Sequence, residues 1–170
     1  MLRCVSSSAD ADSELPSINW TRRRVACLRR GSVVTQGEID QMSKSQTARL
    51  GQAARLFRTA LDRCAHSSGY PGLASFPLGG CGDVTLLLGA YFVDTKLGSF
   101  DYIHGERRVS SGGAAESHAW LQRADLIVDI TADQFRDVVA SVIITRDGSW
   151  HRLFKTKNRG IADFRIYDEE

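Results

Sequence analysis

Cys81 stands inside "FPLGGCGDVTLLLGAYF", residues 76–92, where a glycine turn gives way to an apolar helix. A helix N-terminus offers unpaired backbone N–H groups and the positive end of the helix dipole. Both stabilise a thiolate, and such settings draw a cysteine pKa from about 8.5 to about 3.5–7.5. The same N–H groups can hold an oxyanion. A cysteine in this position is therefore an expected nucleophile. Gly79 and Gly80 permit the tight turn, and Gly82 leaves space for a substrate. Asp83, in the first helical turn, reads as a cap or a partner for the dipole.

A nucleophilic thiol needs a base, and the base needs an orienting group. Four histidines are available: His66, His104, His118 and His151. His66 falls at the end of a helix and His151 after a turn, and neither placement points to a site. His104 lies on a strand with no carboxylate at matched height on a neighbouring one. His118 opens "SHAWLQ", which a short "RAD" turn joins to "LIVDIT". Folded as a hairpin, these segments bring Asp129 beside His118. His118, Trp120 and Gln122 share one face, and Trp120 is grouped with Gly80 and Gly82 as a substrate contact. Asp129 is the one charge inside an apolar strand, and a buried carboxylate needs a partner. Asp125 belongs to the turn, where a carboxylate is solvated, and Asp133 caps a short helical turn. Cys81, His118 and Asp129 are thus the expected catalytic residues. The chain has no phosphate-binding loop, no H-E-x-x-H, no G-x-S-x-G and no metal-ligand spacing, so neither a metal nor another cofactor is expected.

The elements that must hold these groups follow from hydrophobic period. Leu50, Ala54, Phe57, Leu61 and Cys64 recur at spacings of four and three, which predicts an amphipathic helix from Thr47 with Cys64 on its packed face. A second, buried helix runs from Cys81 to about Lys96, with Gly98 as its stop. "FDYIHGE", "SHAWLQ", "LIVDIT" and "SVIIT" read as strands, and "RRVSSGGAAE" as a loop. "RDGSW" reads as a hairpin turn, after which "WHRLF" and "FRIY" close the sheet. Helices followed by short strands predict an α+β fold, a Cys-bearing central helix packed on an antiparallel sheet that carries His118 and Asp129.

Residues 1–45 differ in composition and form a separate, poorly structured or accessory segment; residues 46–170 form the catalytic domain. "TRRRVACLRR" is a basic stretch through which a protein partner could dock. The net charge of +2 is too small to argue for nucleic acid. No apolar run has the length of a membrane span, and the N-terminus lacks the apolar core of a secretory signal, so a cytoplasmic protein with four free thiols is expected.

The order Cys, His, Asp, with "GGCGD" opening a buried helix and "HAW" followed by "VDIT", resembles the transglutaminase-like cysteine peptidases of the papain-like superfamily. The likeness covers about residues 75–135. It implies a papain-like core and acyl transfer on a peptide or amide substrate through Cys81, His118 and Asp129. Hydrolysis would make the chain a peptidase, amidase or deamidase, and an amine acceptor would make it a transglutaminase. A non-catalytic binding domain is the remaining alternative. Two positions depart from the family pattern. Ile130 replaces the proline of "V-D-P-T", and the segment before Cys81 carries no glutamine to complete an oxyanion hole.

Overall fold

The helix that begins the described chain is longer than its apolar period. The computed structural model describes residues 36–108 and 115–166, with side chains from residue 43 onward. These residues belong to one unit, Thr35–Glu170. Helix α1 spans Gln36–Cys64, so the sequence boundary at residues 45 and 46 falls inside it. Its first turns are polar and carry no periodic signal. Leu50, Ala54 and Leu61 are buried, and the stripe continues to Ala65. Cys64 is exposed, because the four-residue step from Leu61 gives the buried position to Ala65.

Helix α2, Cys81–Asp94, is buried through Val84, Thr85, Leu88, Gly89, Ala90 and Phe92. Thr95 ends it, and Gly98 follows with φ of 101°. Five antiparallel strands make one sheet: β1 Asp101–Arg108, β2 Ala115–Arg123, β3 Leu126–Asp129, β4 Ile143–Thr145 and β5 Lys155–Ile161, in the order β4-β3-β2-β1-β5. The chain is thus α+β, two helices against a five-stranded antiparallel sheet.

Period-two alternation sorts the sheet's side chains between two cores. Leu121 and Val128 join Val84, Leu88 and Phe92 beneath the helices. Ile103, Trp120 and Ile127 face the other way, against Phe135 and Phe154. Leu121 pairs with Val128 and Gln122 with Ile127. One further step in that register sets Asp129 opposite Trp120, on the face that His118 shares.

Five segments differ from the sequence reading. Arg107 and Arg108 continue β1, and Ala115 and Glu116 start β2, because Arg107 pairs with Glu116 across the strands. "RDGSW" makes no hairpin: β4 and β5 lie on opposite edges of the sheet, so the connection must cross it. Along that crossing His151–Leu153 forms a 3-10 turn rather than a strand, and Trp150 and Phe154 join the second core. "FRI" is likewise a 3-10 turn. The fifth strand is "KTKNRGI", fully exposed and polar up to its terminal Ile161, as an edge strand can be.

One contact fixes the depth at which α2 sits. A Cβ at Gly89 would lie 1.9 Å from the Ala162 carbonyl oxygen, so only glycine permits the approach. Gly89→Ala is expected to destabilise the fold by at least ~2 kcal/mol, through overpacking and helix displacement. Urea unfolding measures this, and a loss below ~0.5 kcal/mol would contradict the packing described.

Candidate functional site

The turn that delivers Cys81 is built by its glycines. Gly79 adopts φ of 74°, which favours glycine, and Gly80 is the helix N-cap. Gly80 is buried, and a Cβ there would meet the Gly72 carbonyl at 3.1 Å, so it faces the interior. A Cβ at Gly82 would stand 3.3 Å from the Tyr102 hydroxyl. Asp83 occupies the first turn, packed against Gly72. Cys81 is half-buried, and His118, Gln134 and the backbone of Ala119 are the groups that act on its thiol.

His118 and Asp129 are buried, at 0% and 1% exposure. His118 Nε2 lies 2.7 Å from Asp129 Oδ2. Asp129 Oδ1 accepts the Thr131 N–H at 3.0 Å. A histidine that the sequence reading set aside completes the carboxylate's shell: His151 Nε2 lies 2.9 Å from the same Oδ2. With the His151 Nε2 committed to Asp129, its Nδ1 is the ring nitrogen left over. That atom is buried without a hydrogen-bond partner among the described residues. Trp120 packs beside both rings, with centroids 5.7 Å from His118 and 4.8 Å from His151. At 1% exposure it serves as the wall behind the imidazoles and offers a ligand no surface.

The sequence reading also missed Gln134. Its Oε1 accepts the Gly79 N–H at 3.4 Å, and its Nε2 donates to the Thr131 carbonyl at 3.0 Å. The same Nε2 stands 3.1 Å from His118 Nδ1, a contact that is a hydrogen bond only while that nitrogen is unprotonated. One amide therefore ties the turn before Cys81 to the imidazole and the loop after β3. Its only sequence signal was a polar side chain in the turn Ala132–Gln134 that follows Asp129.

Each ionisation at the site has an identifiable cause. Burial pushes the Asp129 carboxyl up, but hydrogen bonds from His118 and His151 outweigh it and hold the group well below the usual carboxylate range. Burial pushes His118 down, and its bonds to Asp129 and Cys81 reverse this, raising it to about 9. For Cys81, burial again opposes ionisation. The hydrogen bond and charge of His118, then Gln134 and Ala119, bring the thiol below its ordinary value. The two groups thus favour each other's charged form: His118 lowers the thiol, and Cys81 helps to raise the imidazole. The charge-stabilising contribution of His118 to folding is complete below about 6.5 and is lost as pH rises through about 9.

Among the described residues, His118, Asp129 and His151 are also the group whose types and spacing could suit a cation, with ligand atoms within 4.8 Å of one another. The 2.7 and 2.9 Å separations are direct hydrogen-bond distances between each imidazole Nε2 and Asp129 Oδ2.

Asp133 does not cap the turn Ala132–Gln134: it lies inside it, and the N-cap is Thr131, with no side-chain cap bond. The Asp133 carboxylate receives two 2.8 Å hydrogen bonds from Arg58, a buried guanidinium that also donates to the Ile130 carbonyl at 2.6 Å and to Asp62 at 2.8 Å. Arg58 thus clamps the loop that runs from Asp129 to Gln134. Asp125 instead pairs with Arg146 on the surface. No helix is long and apolar enough to cross a membrane among the described residues. The basic stretch within residues 1–45 lies outside the described residues.

Replacing Arg58 by Met leaves Asp133 half-buried and unpaired. The expected loss is ~3 kcal/mol of stability, together with slower alkylation of Cys81 in the folded protein. Calorimetry and iodoacetamide kinetics measure the two, and unchanged thiol kinetics would show that the clamp does not position the site. Comparison of the chain with protein-family models, curated proteins and solved structures finds no match.

Proposed function

We propose that the chain is a cysteine-dependent acyl-transfer enzyme acting on amide bonds, with Cys81 as nucleophile, His118 as acid and base, and Asp129 as orienting group. Water is the acceptor in this reading, giving a peptidase or amidase with a papain-like arrangement of helix and sheet. What carries the proposal is a single juxtaposition. A half-buried thiol at a helix start is lowered by an imidazole whose Nε2 is held at 2.7 Å by a buried carboxylate.

The chemistry follows from the atoms present. With Nε2 committed to Asp129, His118 meets the thiol through Nδ1. The thiolate attacks the amide carbonyl carbon, a C–S bond forms, and the carbonyl oxygen takes the negative charge. The first N–H groups of α2 and the Gln134 amide are the donors within reach of that oxyanion. Gln134 would thereby supply the second donor in place of the glutamine that the segment before Cys81 lacks. Nδ1–H protonates the departing nitrogen as the C–N bond breaks. His118, now neutral, takes a proton from water, whose oxygen attacks the thioester and expels the thiolate. An amine in place of water would give transamidation by the same steps.

Iodoacetamide labelling against pH, read by mass spectrometry, tests the nucleophile. Cys81 should label faster than Cys4, Cys27 or Cys64, with its midpoint below that of an ordinary thiol. His118→Ala should move that midpoint up. Turnover of peptide amides should fall on the alkaline side near pH 9, where the imidazolium is lost. Asp129→Asn should lower turnover by ~10²-fold or more. In ¹⁸O-water with an added amine, product carrying ¹⁸O marks hydrolysis. Faster labelling of another cysteine, or an unchanged His118→Ala profile, would overturn the assignment.

A further inference from the structure

A groove of about 600 Å³ opens at Gln134, the residue whose amide reaches the Cys81 thiol. Phe135 and Leu153 give it an apolar floor, and Arg107, Arg108 and Arg136 line its walls. The three guanidiniums are not equivalent. Arg107 is spent on the protein: it donates to Glu116 at 2.7 Å and to both oxygens of Asp137 at 2.9 Å. Its guanidinium also stands 4.9 Å over the Phe135 ring. Those bonds occupy Glu116 and Asp137, the two acids of the groove, and Asp137 additionally accepts the Trp150 N–H. Arg108 and Arg136 are exposed and have no ion pair or hydrogen bond among the described residues. The segment 109–114 that follows Arg108 contains no acidic residue.

Three cations against two carboxylates, with the carboxylates both committed to one cation, leave two guanidinium forks for a ligand. A guanidinium matches a carboxylate in a planar, two-point geometry that an ammonium cannot reproduce. The apolar floor suits a short methylene stem between that carboxylate and the reacting carbonyl. We propose that this groove is the subsite for a carboxylate of the acyl donor, so that the substrates are acidic peptides or γ-glutamyl amides. The proposal rests on Cys81 being the acylating nucleophile, and it adds the chemical class of what is acylated. The two sources share one chemistry and differ in which carboxylate is free: the side chain of an acidic residue, or the α-carboxylate of a γ-glutamyl group.

Inactivation by chloromethyl ketones reads the groove without requiring turnover. The probes are blocked dipeptide chloromethyl ketones with Glu, Gln or Lys at either position, and a γ-glutamyl chloromethyl ketone with a free α-carboxylate beside its amidated counterpart. They are reacted with the full chain and with Arg108→Glu and Arg136→Glu. Each rate is divided by the chloroacetamide rate of the same variant, so that changes in the thiol itself cancel. Cys81 adducts are verified by mass spectrometry. In the unsubstituted chain the carboxylate reagent should react about three- to tenfold faster than its neutral isostere, the range for one or two partly exposed charge pairs. Each reversal should abolish that ratio or turn it toward Lys. A preference within the Glu, Gln and Lys set identifies an acidic residue, and a preference within the γ-glutamyl pair identifies a free α-carboxylate. Equal rates for charged and neutral probes, or a carboxylate preference that survives both reversals, would overturn the groove assignment. Failure of every reagent to modify Cys81, chloroacetamide included, would instead overturn the nucleophile and the groove with it.

Discussion

A carboxylate buried to 1% exposure must be met by donors on every side, and Asp129 sets that condition for the molecule. Its partners come from three separate places: His118 on β2, the Thr131 N–H in the following loop, and His151 on the crossing between β4 and β5. Removing any one leaves part of a buried charge unsatisfied. The orientation of His118 is thereby tied to the closure of the sheet's second face. The Nδ1 of His151 goes unpaired in that arrangement. Such an orphan is destabilising by itself, and the hydrogen bond at the other end of the ring is the interaction that offsets it.

From Asp129 the constraint passes along a five-residue loop to Gln134. Arg58 fixes this loop at the Ile130 carbonyl and at Asp133. Gln134 then reaches back to Gly79 and forward to His118. The turn that presents the thiol and the strand that presents the imidazole are thus coupled through one amide. Small displacements of the loop would change the thiol's surroundings even though no loop residue between Asp129 and Gln134 touches the sulfur in the bonds described.

The residues legible in the sequence were those with local signatures. Cys81 follows a glycine pair and opens an apolar helix. His118 and Asp129 lie on strands joined by a two-residue turn, where register follows from alternation. The remaining partners meet across long separations. Arg58 stands outside the apolar series Leu50, Ala54, Phe57 and Leu61, yet it is buried against residues 72 to 83 positions away. Gln134 meets a glycine 55 positions earlier, and His151 meets Asp129 across 22 positions. Periodicity carries no information about such pairs. The missed strand β5 is polar up to its terminal Ile161 because it pairs only on one side and packs on neither core, so its backbone hydrogen bonds alone define it.

The account depends on His118 being held as an imidazolium between a carboxylate and a thiolate. Nitrogen-15 NMR of histidine-labelled protein, followed against pH, observes that state directly. Both His118 nitrogens should remain protonated at neutral pH and titrate near pH 9, with the Nε2 proton shifted downfield by Asp129. Asp129→Asn should bring the titration down toward the ordinary range. A His118 that titrates near pH 6.5 in the unsubstituted protein, or that carries a single proton at neutral pH, would contradict the charge-paired site.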